Sequence, residues 1–346
     1  MNIYEIRYCK KEELPLLVSF IKNHWQTDHI FVKSTEMLNF QHFDSKLLRY
    51  NFIIGFNKTS NEIDGLVGII PISHFDSNLD VYNNTWGGIW KVRTDVVNNE
   101  ITTLGSKLFS IFEKFNTHGS IGMSKVAKIL HGIKKYKIGK LNHFYILNNK
   151  FNKFNIAIVP STEKPTINYI KNDFTLQEII DIEKLKFDNI KFIYTPKKSI
   201  LYLINRFSKH PIYKYNFFGV YNKENILQTI LVTRIISLYN SRVIRIVDVY
   251  GRLDIIENLY LEFQKLLQSE MCEYIDILNY GIDDDVFKKI GFNILDVKGD
   301  IIIPNYFEPF LQENIEINCA HNSYDDYVIF KADADQDRPS IISNHE

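Results

Sequence analysis

The stretch NTWGGIWKVRTDVVNNEITTLGSKLFSIFEKF, residues 84–115, decides how the chain folds. Its first part, Trp86–Thr94, is rich in aromatic and β-branched residues, which predicts a buried strand. A polar segment follows at 95–100, in which Asn98 and Asn99 are suited to cap a helix. From residue 101 onward, apolar residues recur with the spacing of one helical face. The stretch therefore predicts a strand, a loop and a helix.

The start of this helix is a candidate binding site for phosphate. A helix that begins after a strand presents free backbone N–H groups and the positive end of its dipole. Gly105 lies in the first turn, beside Ser106. Backbone amides in this position bind phosphate in many proteins. One interpretation is therefore a pyrophosphate site, and the other is an ordinary strand–loop–helix unit of an α/β protein.

Length, composition and charge narrow the class of protein. The chain has 346 residues, 45% hydrophobic and 24% charged, which indicates about two globular domains. Its 41 basic and 41 acidic side chains balance, which argues against nucleic-acid binding as the main function.

The cysteines and the N-terminus predict where the protein works. Cys9, Cys272 and Cys319 lack metal-ligand spacing and indicate free thiols in a reducing compartment. The N-terminus lacks a signal-peptide pattern, and no run approaches the roughly 20 apolar residues of a membrane span. We expect a cytoplasmic protein with small-molecule substrates and no bound metal, nucleic acid or membrane.

Apolar periodicity predicts the same element order in both halves of the chain. The first half has predicted strands at 2–8, 52–56, 65–72, 86–94, 120–124 and 141–147, and helices at 10–25, 101–115 and 125–135. The second half has predicted strands at 217–221, 229–235, 242–250 and 274–278, and helices at 254–268 and 285–290. The order β, β, β, α, β, α recurs, which indicates a tandem repeat of about 150 residues.

This order, with WKVR at 90–93 before the loop, resembles the GNAT superfamily of acyl-CoA-dependent N-acyltransferases. The segment VFKKIGF at 286–292 is similar to the Tyr-x-x-x-Gly-Phe end of the family's fourth helix, and LHGIKKY at 130–136 holds the same place in the first half. The resemblance implies an α/β (α+β) fold of two GNAT-like domains in tandem, each a mixed, mainly antiparallel sheet flanked by helices. We place an acyl-CoA-binding domain at 1–150 and a second, degenerate domain at 151–346.

The resemblance also implies where acyl-CoA, the co-substrate, is bound. In the family the fourth strand splays from its neighbour, and the following loop and helix start hold the CoA pyrophosphate. The usual signature, Gln/Arg-x-x-Gly-x-Gly/Ala, corresponds to residues 102–108, which keep one glycine and no leading arginine. Asp248 and Asp254 of the second half would repel a pyrophosphate, so the first half alone is expected to bind CoA. The residues assigned to acyl-CoA are Trp90, Lys91, Val92, Arg93, Thr94, Leu104, Gly105, Ser106 and Lys107.

Amine acylation needs an oxyanion donor, a base for the ammonium group and a proton for the leaving thiolate. The resemblance implies that a backbone N–H of the fourth strand, at Val92 or a neighbour, stabilises the oxyanion. His29 and His74 are candidate bases because histidine titrates near neutrality. His131 takes the place of the family's tyrosine acid. Each histidine has an ordinary structural role as its alternative.

A fuller pattern resembles tandem-GNAT proteins that N-acylate nucleotide-linked amino sugars in bacterial surface-polysaccharide pathways. It consists of Arg206 with HPIYKY at 210–215, RIVD at 245–248 and the tail KADADQDRP at 331–339. The residues assigned to substrate are Trp86, Arg245, Asp248 and Tyr250, with a core role or a structural ion pair as the alternatives for Trp86 and Asp248.

Strand alternation places Asp248 on the face of Ile246 and Tyr250, opposite Arg245. The alternating acids of the tail, at 333, 335 and 337, indicate a solvated end. Two other functions remain open. An aminoacyl-tRNA-dependent transferase of peptidoglycan precursors predicts a basic groove, and a non-catalytic scaffold predicts no CoA binding.

Overall fold

The computed structural model describes residues 2–160, 173–185, 192–324 and 326–340. These residues form two eight-stranded mixed sheets and a small two-stranded one, with strands numbered in chain order. The first sheet contains β1 (Tyr4–Lys10), β2 (Phe43–Asp44), β3 (Arg49–Asn57), β4 (Glu62–Pro71), β5 (Asn84–Val92), β6 (Thr117–Ile121), β7 (Lys137–Lys140) and β17 (Asn318–His321). The second contains β8 (Asn142–Leu147), β9 (Thr175–Glu178), β10 (Asn216–Tyr221), β11 (Leu227–Leu238), β12 (Ser241–Gly251), β13 (Cys272–Tyr280), β14 (Asn293–Ile294) and β18 (Ile329–Phe330). The small sheet pairs β15 (Tyr306–Phe307) with β16 (Phe310–Leu311).

Helices flank both sheets. The α-helices are α1 (Leu14–Phe20), α2 (Ile30–Lys33), α3 (Thr35–His42), α4 (Ile101–Phe112), α5 (Lys125–Ile133), α6 (Ile200–Leu203), α7 (Tyr260–Ser269) and α8 (Asp284–Ile290). Short 3-10 turns lie at Lys11–Glu13, Ile72–His74, Ser77–Tyr82 and Ile182–Lys184, and π-helical turns at Ile21–Trp25 and Ile204–Ser208. No helix in the described part of the chain is long and apolar enough to cross a membrane.

The two sheets repeat one topology. In the first, the antiparallel strands β3, β4 and β5 lead through α4 to β6, which pairs with β5 in parallel. In the second, β10, β11 and β12 lead through α7 to β13, which pairs with β12 in parallel. The predicted fold class, two mixed and mainly antiparallel sheets flanked by helices, is confirmed.

Each sheet also takes a strand from the other half of the chain. The first sheet has the order β1-β3-β4-β5-β6-β17-β7, with β2 beside β3. The second has the order β14-β8-β13-β12-β11-β10-β9, with β18 beside β13. Thus β8, from within the first 150 residues, lies beside β13, whereas the late strand β17 lies between β6 and β7. This exchange brings residues 331–338, which follow β18, between the sheets.

A shared hydrophobic core joins the halves. It includes Ile70 and Trp86 of the first sheet and Val232, Val247 and Leu278 of the second. Separate cores lie under α4, through Leu104 and Leu108, and under α7 and α8. Burial of these apolar side chains is the main stabilising contribution to the fold.

One predicted helix begins later than its periodicity indicates. The pattern predicted a helix from residue 254, but α7 begins at Tyr260. Asn258 adopts a left-handed conformation with φ of 54°, which a helix does not tolerate. Its N–H and that of Leu259 donate to the carbonyls of Lys289 and Ile290 at the end of α8. Pairing with another helix therefore overrides the local periodicity.

Candidate active site at the junction of the two sheets

A bulge in β5 opens the first sheet next to β6. In the pairing with β4, Val67 lies opposite Trp90 and Ile69 opposite Gly87, so Gly88 and Ile89 together face Gly68. The parallel pairing with β6 ends at Gly87. A bulge bends the strand and leaves backbone groups outside the ladder. Among the described residues, therefore, Gly88 and Ile89 have no register partner in β4 or β6.

A cavity of about 530 Å³ lies beyond Gly87, where the pairing of β5 with β6 ends. We call it the donor cavity. Its walls come from β5, from β6 with the loop after it, from α4 and α5, and from the π-helical turn that ends at Trp25. Most of the lining is apolar, and includes Trp25, Val67, Trp90, Val92, Phe109, Phe112, Ile121, Met123 and Val126. Such a lining favours an uncharged chain rather than an ion.

Gly105 is where α4 comes close to β5. A Cβ at this position would lie 3.5 Å from Cγ2 of Val92 and 3.8 Å from Nε1 of Trp90. A longer side chain would therefore enter the donor cavity. The role of Gly105 is to leave space, and it requires no unusual backbone conformation.

Five of the nine residues assigned to acyl-CoA line the donor cavity: Trp90, Lys91, Val92, Thr94 and Gly105. The other four point elsewhere. Arg93 forms ion pairs with Glu62, Asp64 and Asp95. Leu104 is fully buried against β3 and β4, and Ser106 and Lys107 lie on the exposed side of α4.

The N-terminus of α4 is already partly occupied by the chain itself. Asn98 Oδ1 accepts hydrogen bonds from the N–H groups of Glu100 and Ile101, at 2.9 and 2.8 Å. The Glu100 carboxylate lies at the same end and accepts from the N–H of Ile3 and from Lys107. A carboxylate there disfavours a second anion.

The three candidate catalytic histidines lie apart from one another. His131 lines the donor cavity. His74 donates through Nε2 to the carbonyl of Phe40 and lines another cavity, of about 670 Å³, at the start of β5. His29 is 1% exposed and caps α2, its Nδ1 accepting from the N–H of Phe31. Burial lowers the pKa of His29 to about 2.

His131 is a hydrogen-bond acceptor at the cavity wall. Its Nδ1 donates to the carbonyl of Ala127 at 2.7 Å, so in the neutral ring Nε2 carries the lone pair. That nitrogen is buried, and none of the described residues donates to it. Burial lowers the pKa of His131, which favours the neutral ring. In this state His131 has no proton on Nε2 to give to a leaving thiolate.

The tail, residues 331–339, closes the gap in the first sheet. A Cβ on Gly88 would lie 3.7 Å from Oδ2 of Asp335. A Cβ on Gly122 would clash with the side chain of Gln336. Asp335 and Gln336 therefore lie directly against β5 and the loop after β6.

Buried cations of the second half hold the tail in place. Arg206 donates to the carbonyls of Ala332 and Ala334. Lys198 pairs with Asp333 at 3.0 Å and with Asp248 at 2.6 Å. Asp333 is 0% exposed and Asp337 8%, so the interpretation of these acids as a solvated end was wrong.

A second cavity, of about 250 Å³, lies on the other side of the tail. We call it the polar cavity. Its lining comes from the tail, β11, β12 and the segment 305–309, and combines charged groups with aromatic rings: Arg234, Arg245, Lys331, Asp335, Asp337, Arg338, Tyr213, Tyr306 and Phe307. Asp335 and Gln336 line it while also meeting Gly88 and Gly122 of the donor cavity.

Of the four residues assigned to substrate, Arg245 alone lines the polar cavity. Its guanidinium pairs with Asp276 and donates to the carbonyls of Pro304 and Asn305. Trp86 is buried in the shared core, and Tyr250 stacks on Phe192. Asp248 is 0% exposed and pairs with Lys198.

The prediction that Asp248 shares one face with both Ile246 and Tyr250 was also wrong. The register of β11 and β12 shifts between Val232 and Thr233, so one extra residue of β12 interrupts the alternation. Ile246 consequently packs in the core under α7, whereas Tyr250 packs against the shared core. Asp248 turns to Lys198, which also holds Asp333 of the tail.

Sequence reasoning did not select Lys331, Asp335 or Gln336 as site residues. The signal was the pattern KADADQDR itself, in which alternating acids lie between two basic residues. Whether this segment is exposed or buried in the site depends on the cations that surround it in the folded protein. Those cations come from distant parts of the chain.

The fold is similar to that of solved N-acyltransferase structures. A probable N-acyltransferase from Enterococcus faecalis superposes with a TM-score of 0.53 at 10% identity, over 92% of this chain and 72% of the other. A GCN5-related N-acetyltransferase from Anabaena variabilis gives a TM-score of 0.52 at 10% identity, with the same coverage of both chains. No protein-family model and no curated protein sequence matches the chain. At this identity the likeness shows the fold alone.

Proposed function

We propose that the protein is an acyl-CoA-dependent N-acyltransferase. The observation that carries the proposal is the donor cavity, which opens where β5 bulges away from β6 and is separated from the polar cavity by Asp335 and Gln336, whose side chains lie against Gly88 and Gly122. An acyl donor on one side of the tail and an amine on the other would meet at Gly88. The solved structures with this fold support the reaction class.

The donor cavity suits the acyl group and the pantetheine arm of acyl-CoA. Its apolar walls would bury the uncharged part of the donor and exclude water. Lys91 and Thr94 are its polar groups on the β5 side. Because Glu100 and Asn98 occupy the start of α4, we assign the diphosphate to Lys91 rather than to the helix amides.

The bulge supplies the donors for the thioester oxygen. Gly88 and Ile89 have no register partner among the described residues, whereas Val92 lies opposite Gly65 in the ladder. Backbone N–H groups at a strand bulge can turn toward a developing oxyanion, and preorganised donors of this kind stabilise acyl-transfer transition states. We therefore place the oxyanion at Gly88 and Ile89.

Asp335 is the proton acceptor in this proposal. Its carboxylate faces Gly88 from the polar cavity, and in the described part of the chain it forms one ion pair, with Nε of Arg338 at 3.3 Å. The amine loses a proton to Asp335 as its nitrogen bonds to the thioester carbon. The carbon–sulfur bond then breaks, and the thiolate takes up the proton that Asp335 received, which returns Asp335 to its carboxylate form. Neutral His131 is not the source of that proton, because its Nε2 carries none.

For the acceptor we propose the amine of a nucleotide-linked amino sugar in bacterial surface-polysaccharide synthesis, acylated in the cytoplasm. The motifs around Arg206, Arg245 and the tail support this choice by resemblance. The aromatic rings of the polar cavity suit a sugar ring.

Calorimetric titration with acetyl-CoA tests the donor cavity. We compare the wild type with Gly105→Leu, which fills the cavity, and with Ser110→Leu on the exposed side of the same helix. We expect the wild type and Ser110→Leu to bind alike and Gly105→Leu to lose about tenfold or more in affinity. A folded wild type that does not bind would overturn the proposal and leave the scaffold or the tRNA-dependent transferase.

A further inference from the structure

Lys331 is a buried lysine with no ion pair to any acid among residues 2–160, 173–185, 192–324 and 326–340. Its residue is 2% exposed, and its Nζ has no hydrogen-bond partner among the described residues. The ammonium position lies 4.7 Å from the centre of the Tyr306 ring and lines the polar cavity. An unpaired buried cation is costly unless something neutralises it, so a lysine in this position calls for an explanation.

The neighbouring charges are already matched. Arg234 and Arg245 are register partners on β11 and β12, which brings two like charges side by side. Arg234 pairs with Asp337 at 2.8 Å and Arg245 with Asp276 at 2.6 Å.

The other charged groups of the cavity are also engaged. Arg338 pairs with Asp335. Glu308 accepts hydrogen bonds from the Tyr213 hydroxyl and the N–H of Ser340. Each arginine of the cavity thus has its own aspartate, whereas Lys331 is not paired with any acid that the structure describes.

A second buried hydrogen-bond donor, on Arg234, is also unpaired among the described residues. Nε of Arg234 is buried and has no partner among the described residues, although the same guanidinium is held through Nη2 by Asp337. Arg234 and Lys331 interact electrostatically across the cavity. Two unused donors and one unmatched positive charge are what a single oxyanion, with several acceptor lone pairs, would satisfy.

We propose that the polar cavity binds an oxyanion, a carboxylate or phosphate group, through Nζ of Lys331 and Nε of Arg234. Assigning this group to the acyl acceptor rests on the proposed acyltransferase function, whereas the oxyanion site itself does not. The site would then orient the acceptor by its negative group, with the amine directed toward Asp335 and Gly88.

Binding of an anion at this site should be accompanied by uptake of a proton. Burial, followed by the charge of Arg245, lowers the pKa of Lys331 to about 7, so the amine is mostly neutral at pH 8. Arg234 lowers this pKa further, while Asp337 and Asp276 raise it. A bound anion favours the charged form and raises the pKa. The site therefore takes up about one proton when it fills at pH 8, and close to none at pH 6.

Calorimetry with sodium sulfate and sodium acetate, on the full chain without acyl donor, tests the site. Neither anion titrates at pH 8, and measurements in two buffers of different ionisation enthalpy count the protons. We expect one anion to bind the wild type with proton uptake at pH 8, and Lys331→Met to weaken binding about tenfold or more. Lys184→Met, on an exposed 3-10 turn, is the matched control and should bind like the wild type. Tighter sulfate indicates a phosphate ligand, and tighter acetate a carboxylate.

Two results would overturn the inference: absence of binding by both anions, or equal binding by wild type and Lys331→Met. If Lys331→Met does not fold, the test is the number of protons that the wild type takes up on anion binding, measured at pH 8 and at pH 6. Equal uptake at the two pH values would overturn the proposed site. Anion binding without acetyl-CoA binding would keep the oxyanion site and reject the acyltransferase. The reverse result would keep the acyltransferase and reject the oxyanion site.

Discussion

Two buried lysines, Lys331 in the tail and Lys198 beside it, differ in their partners. Lys198 contacts two carboxylates, Asp248 at 2.6 Å and Asp333 at 3.0 Å. Burial raises the pKa of Asp248 to about 6, although Lys198 opposes this effect. Lys331 has no carboxylate partner in the described part of the chain. Lys198 therefore contributes to stability, because two carboxylates face it. Lys331 costs free energy, because no described carboxylate faces it.

Replacing each lysine by methionine should separate these roles. Lys198→Met leaves two carboxylates buried without a cation and should lower the free energy of unfolding by about 3–5 kcal/mol. Lys331→Met removes an unpaired amine and should leave that free energy unchanged or raise it. Urea denaturation measures both, with Lys184→Met as the surface control. Equal losses for the two buried positions would refute the assignment of partners.

Asp335 is the carboxylate on which the proposed chemistry depends. Asp335→Asn keeps the shape of the side chain but removes the proton acceptor, so kcat should fall by about 100-fold or more. Acetyl-CoA binding should be unchanged, because Asp335 lies outside the lining of the donor cavity. Steady-state kinetics and calorimetry test the two statements. Asp285→Asn, on the exposed start of α8, is the control.

At the scale of elements, two bulges and one short segment build the site. The bulge in β5 opens the donor cavity, and the shift between β11 and β12 turns Asp248 toward the tail. The tail lies between the sheets because Arg206, Lys198 and Arg234 hold its carbonyls and carboxylates. Irregular strand pairing thus supplies the space, and a charged segment forms the boundary between the two cavities.

The contact between Gly122 and Gln336 couples the first sheet to the tail. Gly122 has φ of 72°, which strains any other residue, and a Cβ would also displace the Gln336 amide. We expect Gly122→Ala to cost about 2 kcal/mol of unfolding free energy, from strain and clash together. In a Gln336→Ala background the cost should fall to about 1 kcal/mol, the strain alone. A double-mutant cycle by thermal denaturation measures this coupling, and strict additivity would contradict it.

At the scale of the whole molecule, buried histidines set the acid stability. Burial lowers the pKa of His29 to about 2, of His42 to about 3 and of His118, His210 and His321 to about 4. In the unfolded chain each titrates near 6.5. Between these values the unfolded state binds protons that the folded state does not, so stability falls as the pH falls below about 6.5. Asp248, with its pKa raised to about 6, opposes this trend by one proton at most.

We therefore expect the free energy of unfolding to fall between pH 6.5 and 5, by about 1.4 kcal/mol per pH unit for each histidine concerned. His29→Asn should keep the cap of α2, since its side-chain oxygen replaces Nδ1 as acceptor, and should reduce the slope by about one proton. Urea denaturation across this range gives the slope. A slope that His29→Asn leaves unchanged would show that His29 does not contribute.

The sequence by itself determined the repeated element order, the apolar face of α4 and the position of Gly105 within that helix, because periodicity and backbone chemistry act over a few residues. Only the tertiary structure decided which residues form the site. The exchange of β8 and β17 between the sheets brought the tail between them, and the bulges changed which side chains share a face. Lys331 and Arg234 line one cavity, and Asp335 lies against Gly88, because of long-range strand pairing, which leaves no local pattern in the chain.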